Sequence, residues 1–426
     1  MIRGFLNRFD FELGMVIFFF ALYGPGLFMM SLKMNKSLQR KCCGNMLRNG
    51  WRKMSKIAKF VAGSALAATA ATAVAGGTIN LGNDKSISIG MGIRTAFTST
   101  SEGAPSGNAA SKDFTIQNAR IYVSGQLSKD YKFTFNTDEI FGNYGVLEAI
   151  VQYEPSKAFN VWMGRMLTPA DRIEMNGPFY GLSWNQYTVP LMPSDQLGAA
   201  GLYGRDDGIT VWGTVNKFQY AVGAFDGYTG PANADDNLLF AARFAYNFLN
   251  MEDNPAYYTS STYYGGLGDI FTVAVSGQQQ TTGAGIAGDA ADFKAATIDV
   301  LFEKVLGNKD VLTVEGEYKL MDANLSAAAL ADDSSFNLFD GSAYFATAAY
   351  LLSKPMGKGK LQPYVRYTAN ETSAKVKSTL TEFGANYVIA GHNLRFNFNV
   401  TSGDANLTGS PGKDATTVSF GMQQQF

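Results

Sequence analysis

Histidine and cysteine are almost missing from this chain of 426 residues. There is one histidine, His392, and the only two cysteines are the adjacent Cys42 and Cys43. A nucleophile activated by a histidine base has one candidate partner, and His392 falls in a predicted short turn. A zinc-type Cys/His cluster cannot be assembled. Residues 76–426 have no thiol for a disulfide or a redox centre. Charge is also scarce, at 17% of residues, and carboxylates spread along wet walls lack the dry pocket that would raise a pKa for acid–base chemistry. Residues 76–426 contain no uninterrupted apolar run of 18 residues, which excludes a membrane-spanning helix there. The expectation is therefore no enzyme, no cofactor, no metal and no nucleic-acid partner.

What is abundant is glycine and aromatic residues: 46 Gly, 31 Phe and 21 Tyr. The mean hydropathy of −0.06 matches a soluble protein, but a transmembrane barrel hides behind such a value because lumen-facing residues dilute lipid-facing ones. The formal net charge of −1 hides an uneven distribution. Residues 1–75 hold 11 Lys/Arg and 2 Asp/Glu, which leaves 24 and 34, a net of −10, for residues 76–426.

The basic N-terminal part reads as targeting sequence. In residues 54–75 (MSKIAKFVAGSALAATAATAVA), Lys56 and Lys59 precede the apolar stretch Phe60–Thr72, and Ala73-Val74-Ala75 offers a small-x-small cleavage site before Gly76. This pattern is that of a secretory signal peptide. Met54 is then a natural start, and residues 1–53 are an over-extended N-terminus or a hydrophobic leader. Their apolar stretch Met15–Met30 is interrupted by Pro25 and is short for a span.

From residue 76 onward the pattern is repeated period-two alternation, the mark of a strand between two different solvents. The clearest case is the end of the chain, ATTVSFGMQQQF (Ala415–Phe426), where Val418, Phe420, Met422 and Phe426 share one face. Similar segments include Ile87–Arg94, Tyr131–Asn136, Ile298–Glu303, Leu312–Leu320 and Leu394–Val400. Sixteen such strands are predicted, the twelfth of them (Gly341–Ser353) apolar on both faces and without a defined register. Short links, such as Leu127–Asp130, Thr214–Lys217 and Leu306–Asp310, alternate with longer ones, such as Ser99–Lys112, Asp226–Asn237, Gln280–Asp292, Asp322–Asp340 and Ser402–Asp414. Short turns on one side and long loops on the other are the outer-membrane pattern, with the short turns periplasmic. Leu249–Gly268 breaks the rule, being about 20 residues where a short turn is due, and is expected to fold back under the barrel. A soluble β-sandwich also alternates, but it needs neither a signal peptide nor a closing strand that ends in Phe. The predicted fold is all-β: a transmembrane antiparallel β-barrel of about sixteen strands over residues 76–426.

Phe159–Pro169 (FNVWMGRMLTP, with Gly164 and Pro169), Asn118-Ala119-Arg120, Gly204–Ile209 (GRDDGI), Phe218–Phe225 (FQYAVGAF), Tyr364–Tyr367 (YVRY) and Gly391–Leu394 (GHNL) together resemble the family of phosphate-selective porins O and P over most of residues 85–426. The resemblance implies a sixteen-stranded, homotrimeric, water-filled porin in the outer membrane of a Gram-negative bacterium. Its partners would be outer-membrane lipid and small hydrophilic solutes and ions. It also implies that the long link after the fifth strand, Thr168–Asp207, folds into the lumen as a constriction loop.

That loop carries Asp171, Arg172, Glu174, Asp195, Arg205, Asp206 and Asp207. Alternation places Arg94, Arg120, Lys132, Arg243, Arg366 and Arg395 on the facing wall. These thirteen residues are the candidate pore-lining set, because channel selectivity follows from radius and lining charge. Phosphate selectivity needs dense Arg and Lys with few competing carboxylates. Here Glu148, Asp299, Glu303, Glu315, Glu317 and Glu382 also point inward, so a general or mildly cation-preferring pore is expected. An anion- or phosphate-selective pore is the alternative, and a structural barrel without transport role is the alternative of another class.

Overall fold

The computed structural model describes residues 76–140, 143–196, 200–201 and 203–426. The proposed leader (1–53) and signal peptide (54–75) lie outside the described residues. Seventeen strands follow: β1 (Gly77–Gly82), β2 (Lys85–Thr100), β3 (Asp113–Gln126), β4 (Tyr131–Ile140), β5 (Asn143–Tyr153), β6 (Asn160–Leu167), β7 (Arg205–Val215), β8 (Phe218–Phe225), β9 (Leu239–Asn247), β10 (Ile270–Ile286), β11 (Asp289–Val305), β12 (Val311–Asp322), β13 (Gly341–Leu351), β14 (Lys360–Thr372), β15 (Lys377–Val388), β16 (Leu394–Gly403) and β17 (Ala415–Gln425). Strands β2 to β17 pair antiparallel with their neighbours in sequence, and β17 returns to β2 from Thr417↔Thr100 to Gln425↔Gly92. The result is a closed barrel of sixteen strands, which leaves no sheet edge to the bilayer.

Burial is inverted relative to a soluble protein. Val151, Met163 and Phe383 are 69%, 65% and 62% exposed, while Asn386, Asn399 and Glu382 are each 0% exposed. Alternation puts the first group on the outer face and the second inside, so the apolar band meets lipid and the polar set fills the interior. Among the described residues no helix is long and apolar enough to cross a membrane.

Two features differ from the sequence expectation, and a third settles a register it left open. The strand β1 was not anticipated. It pairs with β2 from Gly77↔Ile89 to Gly82↔Lys85, in line with β17, whose terminal Phe426 exchanges two backbone hydrogen bonds of 2.9 Å with Met91. The expected loop Gln280–Asp292 is instead the tip of a long hairpin, since β10 runs to Ile286 and β11 starts at Asp289. The ambiguous strand is β13, which turns Ala343, Phe345, Thr347, Ala349 and Leu351 inward.

Candidate functional site

The link after β6 enters the lumen as expected and follows its wall. Helix α1 (Arg172–Tyr180) starts at Asp171, whose side chain accepts a hydrogen bond from the Glu174 backbone N–H at 3.1 Å, an ordinary N-cap. The helix breaks at Gly177, whose φ of 61° is left-handed, followed by Pro178, which cannot continue the backbone ladder. The break turns the chain so that Phe179–Gln186 crosses toward the opposite wall.

Two kinds of contact hold this loop. Its base is held by charge. The Lys319 ammonium on β12 lies 2.7 Å from Asp171 and 2.6 Å from Glu174. Arg172 forms a bidentate pair with Glu252, at 2.7 and 2.8 Å, and reaches Asp299 of β11 at 3.2 Å. Arg243 on β9 also pairs with Asp299 and donates to the Ala170 carbonyl at 3.0 Å. Burial acts to raise the Asp171 carboxyl, but Lys319 outweighs it and holds Asp171 below the usual carboxylate range. Glu174 is pushed well above that range, first by burial and then, against the pull of Lys319, by Asp171 and Asp195 beside it. The loop carboxylates therefore bring little uncancelled negative charge to the lumen.

The tip is held differently. Arg94 on β2 donates to the Trp184 carbonyl at 3.1 Å, and Arg395 on β16 donates to the Gly181 carbonyl at 2.7 Å. Arg366 on β14 donates to the carbonyls of Asn185 and Gln186 at 2.8 and 3.0 Å. The guanidinium carbon of Arg94 lies 4.2 Å from the centre of the Trp184 ring, and that of Arg395 lies 5.9 Å from it, a cation–π arrangement. None of Arg94, Arg366 and Arg395 forms an ion pair with a described carboxylate. Two glycines make room for the tip: a Cβ at Gly421 would lie 2.2 Å from the Trp184 ring, and one at Gly92 would lie 2.9 Å from Phe179.

The loop thus lies against the wall from β9 round to β17 and β2. On the remaining wall, inward side chains of β3 and β4 stay half-exposed: Tyr122, Ser124, Lys132, Thr134 and Asn136. Charges here come in pairs, Arg120–Asp138 at 2.7 Å, Lys132–Glu154 at 2.6 Å and Arg205–Glu148 at 3.1 Å.

Of the thirteen candidates, the structure brings Asp171, Arg172, Glu174, Arg243, Arg366, Arg395, Arg94 and Arg120 around the loop. Asp195 is buried in a short 3-10 turn, Pro193–Asp195. Lys132 lies on the open wall. Arg205, Asp206 and Asp207 do not belong to the loop. They begin β7, in register with Leu167, Met166 and Arg165 of β6, so strand pairing claims them. Asp206 accepts from the Gly227 backbone N–H at 2.7 Å. Asp207 shares the outer face with Ile209 and Met163 and pairs with Arg165 at 2.8 Å, so it does not line the pore.

Lys319 and Glu252 were missed as site residues. Lys319 had a signal, a lone cation after inward Glu315 and Glu317. Glu252 had only its place in the overlong turn.

The model for phosphate-selective porins O and P matches residues 87–426. The chain belongs to that family. As an outer-membrane porin, it forms a channel for small solutes. Its barrel is similar to the anion-selective porin from Comamonas acidovorans (14% identity, covering 80% of this chain and 100% of that one, TM-score 0.54). It is also similar to Salmonella typhi OmpF in complex with daunomycin (10%, 82% and 100%, TM-score 0.54). A third is Vibrio cholerae OmpT in its trimer form (14%, 80% and 100%, TM-score 0.50). At these identities the likeness is one of fold. No curated protein sequence matches the chain.

Proposed function

We propose that this porin is a general diffusion channel for small hydrophilic solutes with a mild preference for anions, that it works as a homotrimer without catalysis, and that residues 54–75 export it. One observation carries the ion preference. Arg94 and Arg395 flank Trp184 with no described carboxylate within the 4.0 Å of an ion pair, whereas Asp138, Glu148 and Glu154 beside the open wall are each matched by a cation. The Nε–H of Arg94 and an Nη2 group of Arg395 are also left without a partner in the structure. Glu382 on β15 is covered by the loop through Asn185 at 3.2 Å, and Glu303 on β11 is covered by Thr262 and Gly265 of the link between β9 and β10. Charges in a low-dielectric wall act on a passing ion more strongly than charges in bulk water. Only those within a Debye length of about 8 Å at physiological salt count. The net of −10 for residues 76–426 therefore bears on the mouths more than on the narrow section.

The test is the reversal potential of single channels in a planar bilayer under a potassium chloride gradient. A potential of the sign for chloride preference supports the reading. The opposite sign returns the channel to the cation-preferring class expected from composition, and absence of discrete channel steps would favour a structural barrel.

A further inference from the structure

The link between β9 and β10, residues 248–269, is the feature that porin function leaves unexplained. The other links on its side of the barrel are short, at most eight residues: 127–130, 154–159, 216–217, 306–310, 352–359 and 389–393. This one is long and rises into the lumen under the constriction loop. Its contacts with the loop are numerous and directional. The backbone N–H groups of Thr259 and Ser261 donate to the carbonyls of Met175 and Tyr180 at 3.2 and 3.1 Å. The Thr259 hydroxyl donates to the Arg172 carbonyl at 2.7 Å, and Asn176 donates to the Ser261 hydroxyl at 2.6 Å. Glu252 forms the buried bidentate pair with Arg172 already described, and Arg172 also donates to the Ser260 carbonyl at 2.8 Å.

The link is itself anchored to the barrel. Glu303 of β11 accepts from the Thr262 hydroxyl at 2.8 Å and from the Gly265 backbone N–H at 2.7 Å. The backbone is strained to reach this shape, with Ala256 and Tyr264 at φ of 54° and 53°, a left-handed conformation that residues with a Cβ adopt at a cost.

We propose that residues 248–269 are a second aperture-setting element, a strut that fixes the constriction loop from the periplasmic side through Glu252, Thr259 and Ser261 and so sets the size of solute that passes. The physical reason is that the wall contacts and the strut contacts restrain the loop from different directions. Glu252 acts as a positioning residue through Arg172. This inference rests on the reading of the barrel as a conducting channel.

The full chain is expressed, and the porin is taken from outer membranes. Its folded state is checked by the heat-dependent shift in gel mobility. Glu252→Ala is compared with the wild type for single-channel conductance, open-channel noise, and the largest sugar that swells porin liposomes. Because conductance follows the cross-section of the pore, E252A raises it by at least about 1.5-fold, adds noise and admits larger sugars. E252Q falls between E252A and the wild type, and Lys375→Ala on an exposed extracellular hairpin changes nothing. If E252A does not fold, the double variant T259A/S261A, which removes only neutral hydrogen bonds, decides in its place. Folded variants with wild-type conductance, noise and size limit overturn the strut. A wild-type protein that never conducts overturns the channel reading instead.

Discussion

The two ends of the constriction loop are held by opposite means. At its base, Asp171, Arg172 and Glu174 meet Lys319, Glu252 and Asp299, charge against charge. At its tip, Arg366, Arg395 and Arg94 meet backbone carbonyls and the face of Trp184. Both ends are buried and tightly bonded, yet they differ electrically. The base cancels its charges, and the tip leaves them standing. A list of charged residues on a loop therefore says little about ion preference until each charge has been matched with its partner.

The comparison breaks most sharply at Lys319. Its removal strands Asp171, Glu174 and Glu317 around one buried point. Lys319→Ala should cost about 3–5 kcal/mol, the usual loss when one member of a buried charge group is deleted. The readout is a lower temperature for the heat-dependent gel shift, with partial recovery when Asp171→Asn is added.

Acid should loosen the strut beneath the loop next. The His392 Nε2–H donates to the Thr262 carbonyl at 2.9 Å, with the Ser260 hydroxyl 3.2 Å from the same nitrogen, the Tyr264 hydroxyl 3.4 Å from Nδ1, Tyr180 packed against the ring and Arg395 nearby. Burial, then Arg395, pushes its pKa down from 6.5 to about 3. The latched form thus binds fewer protons than a released one. Below about pH 6.5 each unit favours release by up to ~1.4 kcal/mol, and the effect levels off near pH 3. Glu252 acts in the same sense. Burial works against its charge, but Arg172 holds its carboxyl below the usual range, so its contribution is complete at neutral pH and is lost in acid. Open-channel noise should rise from pH 7 to pH 4, and His392→Gln should flatten the rise.

At the tip, Arg94→Gln with Arg395→Gln should abolish chloride preference in the salt-gradient measurement, while Lys319→Met with Asp171→Asn, a neutral exchange at the base, should leave the reversal potential in place. The smallest effect belongs to Asp207→Asn. Its pair with Arg165 is half-exposed on the outer face, worth at most about 1 kcal/mol, and the reversal potential should not move.

The barrel was legible because the period of two is enforced by two solvents at every strand. Segments such as Leu312–Leu320 show it without any tertiary information. Strand β1 was not legible: GTINLG is six residues long, too short for alternation to stand out. Arg205, Asp206 and Asp207 were misplaced because charged residues between glycines look like loop, and only the register with β6 shows otherwise. The pairing of loop charges was out of reach for a different reason. It joins residues far apart in the chain, as Arg172 to Asp299 and Asp171 to Lys319, and no local pattern records which inward charge meets which.

The glycines under the loop tip carry a consequence for divergence within the family. The tip rests in recesses where the wall has no side chain, at Gly421 beneath Trp184 and Gly92 beneath Phe179. A methyl group at Gly421 has no space unless Trp184 moves inward, and one at Gly92 would press on the end of the Phe179 ring. Channel width can therefore be adjusted in single-carbon steps from behind the loop, by mutations at wall positions that the loop covers, while the loop sequence and every charge on it stay the same.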